Sequence, residues 1–151
     1  VFKRTGVLSV AEVESRADAW ASRYSEARAV EAATLVRMVK TEIYPSCLKY
    51  QAELAESITS ARKMAPEAKA LPQEETWKDL TKHIEALTAG VSKLEQQRTV
   101  VKECTCELSR AKESHRLLTV MEELGETVST LETTVAKRYW PYPTLSELFT
   151  F

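Results

Sequence analysis

The feature that most constrains this chain is a stripe of apolar and small residues: Ala32, Val36, Val39, Ile43, Cys47, Tyr50, Leu54 and Ile58. They recur at steps of three and four, the spacing that puts side chains on one face of an α-helix. The stripe runs past Pro45 without a break. An interior proline removes one backbone hydrogen bond and crowds the turn before it, so the expectation is a helix that bends at Pro45 yet continues on both sides. Its start is signalled by "LSVAEVESR": Ser9 caps the first turn, Glu12 reaches back to the Ser9 N–H, and Leu8 staples against Val13. The first helix is therefore expected over about 10–63.

Pro66 and Pro72 bracket a loop, "PEAKALP". Beyond it Trp77, Leu80, Ile84, Leu87, Val91, Leu94 and Val101 predict a second helix over about 73–103. No Gly or Pro marks the next corner. Thr105, between Cys104 and Cys106, is the least helix-favouring residue there. Leu117, Met121, Leu124, Val128, Leu131 and Val135 then predict a third helix over about 107–138, which must end before Trp140 because Pro141 disfavours helix at the residue preceding it. Short connections make neighbouring helices antiparallel. The expected fold is thus all-α: an antiparallel bundle of three long helices in one domain, 1–151, with an extended aromatic and proline-rich tail, 139–151. The first helix is much longer than its partners, so its N-terminal half either packs elsewhere, with Trp20, Tyr24 and Val30 as a docking face, or projects bare.

Chemistry is hard to find. Twenty-one Lys and Arg against 22 Asp and Glu give a net charge of −1, with no pull toward nucleic acid, and no apolar run is long enough to span a membrane. Three cysteines without a secreted-scaffold pattern favour free thiols in a reducing compartment. The "CTC" pair lacks the second pair that a structural zinc site needs, and neither His83 nor His115 sits in the Glu-x-x-His spacing of a di-metal bundle. Gly6, Gly90 and Gly125 are isolated, which excludes a glycine-rich phosphate loop; Gly90 and Gly125 read instead as places of close helix approach. No catalytic, cofactor-binding or metal-binding residue is expected. The structural and interface candidates are Pro45, Tyr50, Trp140, Pro141 and Pro143. The tail holds five of the chain's aromatic residues, Tyr139, Trp140, Tyr142, Phe149 and Phe151, and is expected to fold back onto the helices with Trp140 as anchor.

Two stretches, "KTEIYPSCLKYQAELAESI" and "YWPYPTLSELF", resemble the C-terminal region of type III glutamine synthetases, the large form of the ATP-dependent glutamate–ammonia ligase. The matching positions are Lys40, Thr41, Glu42, Ile43, Pro45, Leu48, Tyr50, Gln51, Glu53, Leu54 and Ala55, then Trp140, Pro141, Pro143, Thr144, Glu147 and Leu148. "GVLSVAEVESR" looks like the family's entry into this region. Tyr44, Ser46 and Cys47 depart mildly from its pattern. The resemblance implies a helical extension of an enzyme whose ATP, glutamate and ammonium sites, with their Mg2+ or Mn2+ ions, lie in a preceding catalytic domain. It further implies a dodecameric homo-oligomer in the cytoplasm, or in a plastid were the source an alga. On that view the chain, which starts at Val1 without Met, is a fragment or a processed product. A stand-alone adaptor of spectrin-like three-helix design is the alternative that the stripes also allow.

Overall fold

The computed structural model describes residues 6–68 and 70–148. Phe149 and Phe151 lie outside them. Helix α1 covers Val10–Met38, a π-helical turn follows over Val39–Ile43, and α2 continues over Tyr44–Met64. Helix α3 spans Pro72–Glu103 and α4 spans Glu107–Thr134. The all-α bundle is borne out.

Local signals explain the boundaries. At the start of α1 the capping box forms in full, the Ser9 hydroxyl accepting the Glu12 N–H at 3.2 Å while the Glu12 carboxylate accepts the Ser9 N–H at 2.7 Å. Gly6, at φ +68°, supplies the left-handed turn just upstream that a side chain would resist. Pro72 occupies the first turn of α3, where its missing N–H costs nothing.

Pro45 is absorbed by a change of helix type. The Tyr44 N–H donates to the Val39 carbonyl, five residues back rather than four. Such a widened turn gives the pyrrolidine ring room against the preceding carbonyls, and Pro45 then stands in the first turn of α2. Helical backbone thus runs from Val10 to Met64. Pro45→Ala restores a donor without adding bulk, so it is expected to keep the fold and change stability by no more than about 3 kcal/mol, checked by circular dichroism during urea titration.

The last long helix is shorter than its apolar spacing suggests, ending at Thr134 rather than near Arg138. The final turn is "TLETTV", where Thr130, Thr133 and Thr134 all turn their hydroxyls back onto backbone carbonyls. Those β-branched residues are weak helix formers, and Val135 and Ala136 swing to extended ψ values of 134° and 132°. A 3-10 turn over Lys137–Tyr139 then redirects the chain. A single helical turn, α5, follows over Leu145–Leu148.

Cross-links fix the topology. Arg62 pairs with Glu74, Gln51 donates to Thr81, and Lys40 pairs with Glu95, so α3 runs back along α2 and past the π turn. Gln97 meets Glu113 and Lys93 meets Glu123, so α4 reverses again and lies beside α1. The core between them is a ladder of Ala32, Val36, Val39, Ile43, Leu80, Leu87, Leu94, Leu117, Leu124 and Leu131, none more than 6% exposed. Gly90 does mark a close approach, because a Cβ built there would stand 2.9 Å from Leu124 Cδ1. Gly125 does not: a Cβ there meets open space.

Candidate interaction surface

The interface candidates gather on one side of the first helix. After the 3-10 turn, Tyr139 sets its ring 6.1 Å from that of Tyr50, tilted by 39°. Arg138 lies against Tyr139 and pairs with Glu53 one turn further along α2, which holds the Glu53 carboxyl below its usual range. Trp140 enters the core at 8% exposure. Pro141 and Pro143 face solvent. Their contribution is to the backbone: each lacks an N–H, and each keeps the residue before it extended. Tyr142 packs half-buried against the core, its hydroxyl pushed up by burial and by the Glu42 carboxylate beside it. From Tyr139 to Tyr142 the tail therefore lies along the first helix, from Tyr50 back to the π turn.

Thr144 opens the final turn. Glu147 accepts both its N–H, at 2.9 Å, and its hydroxyl, at 3.1 Å, and also pairs with Lys137. The Lys137 ammonium and the Thr144 donors together bring the Glu147 carboxyl down to about 2. A group depressed in the folded state stabilises it above its unfolded value, 4.5, and loses that contribution as pH falls through about 2. The Thr144 amide is therefore expected to lose hydrogen-exchange protection between those two values. Glu147→Gln should remove that pH dependence, which amide exchange by NMR will read.

On the opposite side of the π turn, Val39, Lys40, Tyr44, Thr88, Val91, Ser92 and Glu95 line an open cleft of about 370 Å3, with the 2.7 Å Lys40–Glu95 pair at its rim. Nothing in it is a nucleophile beside a base. The residues with chemical potential elsewhere stay apart. His83 is half-buried on α3 with Nδ1 unpaired, near Asp79 and Thr134, while His115 is exposed on α4. Cys47 is buried and its thiol is pushed up to about 11 by desolvation. Cys104 and Cys106 flank the corner between α3 and α4; the N–H groups of Ser109 and Leu108 lower the Cys106 thiol, as expected at a helix start. Among the described residues no three His, Cys, Asp or Glu gather as a metal site, and no helix is long and apolar enough to cross a membrane.

The N-terminal half of α1 adds nothing to the buried core, although Asp18 comes near Cys106 at the start of α4. No residue from Gly6 to Tyr24 is buried, and Ser25 is the first that is. Trp20 is 72% exposed and Val30 67%, while Tyr24 is half-covered by the Arg28 guanidinium 5.6 Å above its ring. The length mismatch between helices could signal this lack of burial; no sequence pattern shows the 85-residue pairing of Arg138 with Glu53.

Residues 1–62 match the model of the glutamine synthetase C-terminal domain. Across the whole chain there is similarity to a type-3 glutamine synthetase of Dictyostelium discoideum, 25% identical over 157 aligned positions, which takes in 98% of this chain and 21% of that protein. The chain thus spans about a fifth of the length of the curated relative it matches. No solved structure matches it.

Proposed function

We propose that this chain, whose residues 1–62 match the model of the glutamine synthetase C-terminal domain, is the helical C-terminal part of a glutamate–ammonia ligase, serving the packing and assembly of that enzyme rather than its chemistry. The observation that carries this reading is the asymmetry of the alignment: nearly all of this chain answers to a small share of a type-3 enzyme. The bundle is consistent with it. Its ion pairs either span one turn of a helix or tie neighbouring elements together, its histidines are separated, and the cluster of Glu147 with Lys137 and Thr144 ties down a tail.

ATP and the Mg2+ or Mn2+ ions of such a ligase do not fit the residues present. The described part of the chain offers neither a glycine-rich phosphate loop nor a cluster of carboxylates and imidazoles, so we assign both to a catalytic domain preceding this one. The same reading makes the protein cytoplasmic, or plastid in an alga, and a subunit of a dodecameric homo-oligomer.

The isolated 151 residues are expected to form no γ-glutamyl hydroxamate and to show no saturable ATP binding by calorimetry. Removing them from the full polypeptide should lower the oligomeric order measured by light scattering. Nucleotide binding by the isolated chain, or unchanged assembly after its removal, would overturn the proposal.

A further inference from the structure

The N-terminal half of α1 carries a second apolar stripe, distinct from the one that faces the bundle. Ser25, Ala32 and Val36 define the bundle face. At about 100° per residue, Val13, Ala17, Trp20 and Tyr24 fall together on another side, roughly 80–140° away from it. Arg16 and Arg23 border this stripe on one flank; Arg28, on the other, is paired with Glu31 at 2.8 Å, and Glu14 and Asp18 point along the bundle side. At the root of the helix Val7, Leu8, Val13 and Arg16 line an open cleft of about 570 Å3. An exposed tryptophan between an apolar notch and a tyrosine, edged by arginines, has the composition of an interface centre with a cationic rim.

We propose that this arginine-edged face is the seat of the rest of the parent polypeptide, which meets it with an apolar groove bordered by carboxylates. The inference rests on the function proposed above. About four-fifths of the matched relative lies outside the region shared with this chain, so a large body has to be accommodated. The bundle's own helices have already buried their core stripes against one another. Of the large apolar side chains left in solvent, Met64 at 87% and Leu108 at 61% stand at other corners of the bundle, whereas Trp20 at 72% is flanked along its own helix by Val13 and Tyr24 and so forms part of a continuous face. The border of Arg16 and Arg23 selects a carboxylate-bearing counterpart and disfavours a second copy of the same face, which would bring like charges together.

The test uses the full-length polypeptide with a photo-crosslinking phenylalanine at position 20, and the same probe at Ser15, on the other side of α1, as control. Irradiation and mass spectrometry are expected to join position 20 to a peptide outside residues 1–151 of the same polypeptide, with Ser15 giving little product. Cross-links from position 20 to residues 1–151 of a second copy would overturn the proposal, as would a yield no greater than that at Ser15. The coding region upstream tests the parent reading separately. If it encodes something other than a glutamine synthetase and position 20 still joins to it, the ligase assignment falls and the seat stands.

Discussion

Trp140→Ala is expected to destabilise the protein by about 3 to 5 kcal/mol, the usual range for emptying a buried aromatic site. The indole is 8% exposed and belongs to the same core as Ile43 and Leu87, although it arrives from a tail rather than a helix. Its removal should also loosen what it anchors. Tyr139 would lose the support that holds it near Tyr50, and Arg138 the position from which it reaches Glu53. Urea unfolding followed at 222 nm gives the loss directly. A change below about 1 kcal/mol would show that the ring adds little to the core, since most buried aromatic truncations exceed that.

Leu124→Ala should cost about 2 to 5 kcal/mol, and its partner position makes the effect more informative than an ordinary cavity. Leu124 is 1% exposed and lies in the notch that Gly90 leaves in α3. Gly90→Ala on its own brings a methyl to within 2.9 Å of Leu124 Cδ1, so the gain of up to about 1 kcal/mol in helix propensity is offset by displacement of a core side chain. In the double variant the new methyl enters the space vacated by the leucine. The two substitutions are therefore expected to be non-additive, with the double variant more stable than Leu124→Ala alone, by an amount thermal or urea melts of the four proteins will give. Strict additivity would mean that α3 and α4 do not touch at this point.

Much of the fold was legible because its signals are local. Ser9 with Glu12 fixed the start of α1, Pro72 opened α3, and steps of three and four marked which residues of α3 and α4 face inward. The π turn was not legible. The two consecutive steps of four around Ile43 are compatible with an extra residue in the helix, but the same steps recur at Tyr50, Leu54 and Ile58, so periodicity does not single out the place. The end of α4 is not legible from spacing, because Val135 continues the apolar pattern after the threonine hydroxyls have begun to compete for the backbone. Gly125 differs from Gly90 because a small residue makes a close approach only when a neighbour occupies the space, and that depends on packing. The candidate surface was partly legible: Trp20 and Trp140 stand out by size, but only the three-dimensional arrangement separates the one left in solvent from the one that enters the core.

The turn at Val39–Ile43 also sets a phase. One added residue within a helix offsets the faces on its two sides by about 100°, so α1 upstream and α2 downstream address their neighbours from different azimuths although the axis scarcely ends. Chain length there acts as an angular setting. Deleting a single residue between Val39 and Ile43 would return the segment to α-helical pitch, and α1 would have to rotate by that angle relative to α2 to stay helical. Either Ala32 and Val36 would leave α4, or the bundle would keep them and the whole strain would fall on the turn. In the first case the direction of Trp20 would be reset from a point more than a dozen residues away; in the second it would be kept at the expense of the turn, so these five residues are not free to change in number.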